Sequence, residues 1–129
     1  MTITRAHPPS ARLRNPADFL ALRRQSKRIA ARCFQTQYRL TESGEARLGI
    51  AVSRRVSKRA VVRNRIRRIM RESFRVRRAD LPSCDVLLIA HTSAAAQSRG
   101  DLRADLDLIW TRLAALKPHD ADRTIPPHY

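Results

Sequence analysis

The sequence predicts an α+β domain: a two-layer α/β sandwich in the order α-β(2-3)-α-β-α. Three observations carry that reading. Residues 32–40 and 47–53 alternate in polarity, as half-buried strands do. The stretch 85–91 is a nearly continuous apolar run, the pattern of a strand covered on both faces. Two further stretches, 57–78 and 98–117, carry apolar residues at helical spacing. Helices on one side or at the ends of a small mixed sheet follow from this order. A length of 129 residues suits one domain with a modest core.

The elements follow in chain order. Residues 1–11, with His7-Pro8-Pro9-Ser10, show no period and read as a flexible basic tail. Asn15-Pro16 gives an N-cap followed by Pro at the first helical position. A short helix is expected from Pro16 to about Arg24, burying Phe19, Leu20 and Leu22. The stretch 26–31 offers a further short strand. In 32–40, Phe34, Thr36, Tyr38 and Leu40 share one face, with Gln35, Gln37 and Arg39 on the other. Thr41-Glu42-Ser43-Gly44 is a turn. In 47–53, Leu48, Ile50 and Val52 face one way. Gly49 and Ala51 face the other, where the small residues allow a close approach. Ser57 is placed to cap the next helix, and Leu81-Pro82 stops it. The last helix runs through Leu102, Leu106, Ile109, Trp110, Leu113 and Leu116, with Asp101 in its first turn. Residues 118–129 are Pro-rich and read as a second flexible tail, leaving 12–117 as a single α/β domain.

The charge is concentrated. Between 54 and 78 lie Arg54, Arg55, Lys58, Arg59, Arg63, Arg65, Arg67, Arg68, Arg71, Arg75, Arg77 and Arg78, against one acid, Glu72. At ~100° per residue, Val62, Ile66, Ile69, Met70 and Ser73 form a narrow apolar stripe with Phe74 at its shoulder. Arginines cover the remainder. A solvated helix ordinarily mixes both signs, and this stripe is too narrow for a membrane surface. An array of like charges is costly unless a polyanion neutralises it, and Arg pairs bidentately with phosphate. The whole-chain charge of +16 points to nucleic acid or ribosome as the partner.

Other chemistries find no support. Three glycines cannot build a phosphate loop. His7, His91, His119 and His128 share no metal-ligand spacing. Asp80, Asp85, Asp101, Asp105 and Asp107 read as caps and solubilising charges. Cys33 and Cys84 read as buried reduced thiols. No apolar run reaches membrane-spanning length and the start, Met1-Thr2-Ile3-Thr4-Arg5, is not a signal region, so the chain is expected to be cytoplasmic, with no membrane association.

Three segments stand out: Arg47-Leu48-Gly49-Ile50-Ala51-Val52-Ser53-Arg54-Arg55, then Ala60-Val61-Val62-Arg63-Asn64-Arg65-Ile66-Arg67-Arg68, then Arg71-Glu72-Ser73-Phe74-Arg75. Together they resemble the protein subunit of bacterial ribonuclease P. The resemblance extends to Arg12-Leu13, Asp18-Phe19, Asp85-Val86-Leu87-Leu88-Ile89-Ala90 and the final Leu/Trp helix, roughly residues 12 to 116. The Arg-Asn-Arg of residues 63–65 is its hallmark. The family implies a particle in which a large RNA performs the catalysis and the Mg²⁺ belongs to the RNA site. No protein residue is then catalytic, none holds a metal, and no obligate protein partner is expected. It implies contact with the catalytic RNA at Arg54, Arg55, Lys58, Arg59, Arg63, Asn64, Arg65, Arg67, Arg68 and Arg71. It also implies a sheet cleft for the single-stranded 5′ leader of precursor tRNA, with Phe19 and one of Phe34 or Tyr38 as its aromatics. Members often carry a second aromatic four residues after the first; here Arg23 stands there, offering a phosphate contact instead. A left-handed β-α-β crossover is implied around the Arg helix. A ribosomal or other structural-RNA-binding protein shares the composition, and only the motif string sets it apart.

Overall fold

The structure, a computed structural model, describes residues 12, 16–42 and 44–116, with no side-chain detail at 18, 19 and 23–25. Both expected tails lie outside the described residues. The elements are α1 (Pro16–Gln25), β1 (Lys27–Ala30), β2 (Phe34–Leu40), β3 (Ala46–Ala51), α2 (Ala60–Arg77), β4 (Cys84–Ala90) and α3 (Arg99–Ala114). Short 3-10 turns at Arg78–Asp80 and Thr92–Ala96 flank β4. The order is the expected one with the third strand present.

The strands form one sheet in the order β1-β2-β4-β3. β1–β2 and β2–β4 are antiparallel, and β3–β4 is parallel with Arg47 opposite Asp85 and Ala51 opposite Ile89. A parallel pair needs a crossover, and α2 supplies it. α2 runs back along β3: from its middle Arg67 Nη2 donates to the Val52 carbonyl at 3.3 Å, and just past its end Arg78 Nε donates to the Ala46 carbonyl at 3.1 Å. The β2–β3 turn is held by Ser83, whose Oγ accepts from the Gly44 amide at 2.9 Å. Gly44 has φ of +91°, which a side chain would strain.

Even-numbered strand positions build the core. Phe34, Tyr38, Leu48, Val86 and Leu88 pack with Ile66, Ile69, Met70 and Phe74 of α2 and with Leu102, Leu106, Ile109, Trp110 and Leu113 of α3. Phe74 and Trp110 rings meet at 5.6 Å, tilted by 59°. The Trp110 indole donates to Ser73 Oγ at 2.7 Å, so the one polar member of the α2 stripe serves the core. Cys33 and Cys84 are free and buried, and burial pushes the Cys84 thiol up to about 12.

α1 lies on the opposite face. Arg12 forms a parallel bridge to Leu48 at the β3 edge, whereas β1 is the other edge. The chain must cross the sheet between them. A ten-residue helix spans about 15 Å, close to the ~14 Å across four strands. α1 packs on β2 and β4, and its Leu22 is fully buried yet outside the core beneath α2 and α3. The sandwich of sheet and α2/α3 thus carries a helix across its open face. Leu20, expected inside, is 47% exposed there.

Candidate nucleic-acid interface

The helix phase is the expected one, and the cap is not. α2 begins at Ala60 with Arg59 as N-cap and no side-chain cap bond. Ser57 instead closes the turn before it, accepting from the Arg59 amide at 3.1 Å. Arg63 takes over the anchoring: its Nη1 donates to the Ser57 and Lys58 carbonyls at 2.9 and 3.0 Å. Arg67 Nη1 donates to Asn64 Oδ1 at 2.8 Å. Two arginines of the run therefore shape the loop at 52–59.

That loop presents Arg54, Arg55, Lys58 and Arg59, all exposed, and Arg54, Arg55 and Lys58 line one open depression. Arg68 and Arg71 continue the exposed cationic surface along α2, with Arg65 half-buried beside them. The side chains of Arg54, Arg55, Lys58, Arg59 and Arg68 make no ion pair within the described residues. The Arg65 Nε is shielded and unpartnered. Burial, with Arg12 and Arg67 nearby, pulls Arg71 below the usual guanidinium range. Like charges are crowded here, and phosphate would relieve them. The end of the run differs. Arg75 pairs with Glu72, Arg77 with Asp80 and Asp107, and Arg78 with Glu45 at 2.7 Å. The sequence shows twelve similar cations; the fold divides them into those with internal partners and those without.

The aromatics of the expected cleft do not assemble as the sequence suggested. Phe34 is fully buried and Tyr38 is 8% exposed, both on the face covered by α2 and α3. Burial also pushes the Tyr38 hydroxyl up. Neither can stack on a ligand. Phe19 and Arg23 lie on α1, whose backbone crosses the open face. The open face is built from the odd positions: half-buried Gln35, Gln37, Leu87 and Ile89 around buried Gly49. It is a floor of amides and aliphatics rather than rings.

Two carboxylates read as solubilising charges are buried and structural. Asp105 of α3 accepts from the amides of Arg32 at 3.0 Å and Cys33 at 2.8 Å, fixing the β1–β2 turn to the helix. Asp85 of β4 is fully buried between strand neighbours. Arg47 donates to it through Nε at 2.9 Å and Nη2 at 3.0 Å, and Arg39 through Nη2 at 3.2 Å. A lone Asp opening an apolar strand, with Arg two residues into one neighbouring run, was the available signal. Among the described residues no three His, Cys, Asp or Glu side chains converge as metal ligands, and no helix is long and apolar enough to cross a membrane.

Comparison with known proteins gives one consistent result. The family model described as Ribonuclease P matches residues 8–114. The ribonuclease P protein component of Coxiella burnetii is 34% identical over 102 residues, covering 79% of this chain and 84% of that one. That of Cronobacter sakazakii is 36% identical, covering 83% and 90%. Among solved structures, the Staphylococcus aureus RNase P protein superposes with a TM-score of 0.73 at 28% identity, covering 79% of this chain and 94% of that one. The Thermotoga maritima RNase P protein gives 0.70 at 27%, covering 78% and 96%. The motif string, the sheet order and these matches over most of the chain agree: it belongs to the bacterial ribonuclease P protein family.

Proposed function

We propose that this chain is the protein subunit of a cytoplasmic ribonucleoprotein that removes the 5′ leader from precursor tRNA, with a large RNA performing the cleavage. The observation that carries the reading is the unpaired cationic surface from Arg54 to Arg71, on a chain of this family. Arg54, Arg55, Lys58, Arg59, Arg65, Arg68 and Arg71 would neutralise phosphates of the catalytic RNA. Arg63, Asn64 and Arg67 hold the loop in shape while sharing that surface. Each such contact releases counterions and adds affinity without reading sequence. Mg²⁺ is assigned to the RNA, which supplies the metal-activated hydrolysis.

The open sheet face suits the leader, the one part that distinguishes precursor from product. Single-stranded RNA offers splayed bases and phosphates. Gln35 and Gln37 provide amide donors and acceptors, Leu87 and Ile89 a flat aliphatic floor, and the α1 backbone a wall. Mixing the protein with a bacterial catalytic RNA at low Mg²⁺ tests the whole reading. Accurate 5′ maturation that neither component achieves alone is expected. Cleavage by the RNA-free protein, or no stimulation by it, overturns the proposal.

A further inference from the structure

We infer that the Arg39–Asp85–Arg47 row is a phosphate seat for single-stranded RNA at the far end of the open sheet face. The inference rests on the reading of that face as the leader site and extends it by one ligand group. Arg39, Asp85 and Arg47 are register partners on β2, β4 and β3, so they form a line straight across the sheet. All are odd positions, on the same face as Gln37 and Leu87. The row lies where β3 begins, whereas the Arg54–Arg59 loop follows the other end of β3. From Asp85 to Ile89 the floor runs about 13 Å at ~3.3 Å per residue.

One buried carboxylate holds two guanidiniums, each about a quarter exposed, at 27% for Arg39 and 26% for Arg47. Asp85 is engaged chiefly by Arg47, through two nitrogens. Arg39 uses Nη2 alone. Its Nη1 has no partner among the described residues, and its Nε is shielded without one. A purely structural pair would satisfy its donors, since a shielded unpaired N–H is costly. Here Asp85 is a positioning residue: it holds the Arg39 guanidinium by Nη2 and leaves Nη1 for a ligand oxygen. A cation so held pairs with phosphate by a charge-assisted hydrogen bond.

The test uses the reconstituted particle and precursor tRNAs with leaders of roughly ten and roughly two nucleotides. Arg39→Ala is expected to weaken the long-leader precursor by about five- to ten-fold. The log–log salt slope for that precursor should fall by about 0.7, the value for one phosphate of a single strand. The short-leader precursor and mature tRNA should bind as before. Arg39→Gln, which retains a donor to Asp85 without the charge, should behave like Ala, and Arg39→Lys should retain the wild-type length dependence. The two glutamine and lysine variants decide the matter if Arg39→Ala loses its cooperative melt. A wild-type particle blind to leader length would instead remove the underlying leader-site reading. A length-sensitive wild type whose sensitivity persists in Arg39→Gln overturns the phosphate seat alone, as does an equal loss for precursor and mature tRNA.

Discussion

Replacing two unpartnered arginines should change how salt controls assembly, and replacing two partnered ones should not. Arg59 and Arg68 are exposed and make no ion pair among the described residues. Arg77 and Arg78 sit at the other end of the same basic run but pair with Asp80, Asp107 and Glu45. Each phosphate contact contributes about 0.7 to 0.9 to the log–log salt slope. Losing two lowers the slope by about 1.4 to 1.8. Between 50 and 200 mM salt, a fourfold change, the wild type should therefore lose about 7- to 12-fold more affinity than Arg59→Ala/Arg68→Ala. Arg77→Ala/Arg78→Ala should keep the wild-type slope. Its cost falls on the fold: surface ion pairs stabilise by about 0 to 1 kcal/mol each. With Arg78 also bonded to the Ala46 carbonyl, the melt should drop by several degrees. Filter binding of the catalytic RNA across the salt series, with a melt on each protein, reads both quantities. An equal slope change in the two double variants would refute the division of the run by internal partners.

Three further outcomes follow from burial. Phe34→Ala removes a fully buried ring and should cost about 3 to 5 kcal/mol. It should weaken precursor and mature tRNA equally; a loss confined to the precursor would return Phe34 to the leader site. Asp105→Ala strands the amides of Arg32 and Cys33. At about 1 to 3 kcal/mol each, Tm should fall by ten degrees or more while the salt slope holds; an unchanged Tm would show that water replaces the carboxylate. Cys84 should resist thiol reagents at mild pH in the native protein and react once unfolded. Its thiol is raised from 9.0 to about 12, first by burial and then by Asp85. The unfolded chain therefore gives up this proton first, and stability should decline as pH rises from 9.0 towards about 12. Tyr38, raised by burial, acts in the same sense. Stability that holds flat through that window would contradict the buried neutral thiol.

What the sequence disclosed and what it withheld follow from the range of each signal. Ile66, Ile69, Met70 and Phe74 are buried as their spacing indicates, because helical phase is set by neighbours within two turns. The alternation in 34–40 is equally plain, but not which of its two faces is covered. Period two separates Phe34, Thr36 and Tyr38 from Gln35, Gln37 and Arg39 but does not say which set a helix covers. That is decided by α2 and α3, more than twenty residues away in sequence, and by α1 crossing the other face. The aromatics went to the covered face because burying a ring there stabilises the core. The polar set was left for the surface on which a ligand could lie. Asp85 carries the same lesson further. A single acid in an apolar run looks like a defect until β2 and β3 bring Arg39 and Arg47 to its sides. Those partners are 46 and 38 residues distant, beyond any local pattern, and only strand register places the three charges in line. The bulk cationic surface was therefore legible from the chain, whereas the charges that depend on cross-strand pairing became visible only in the fold.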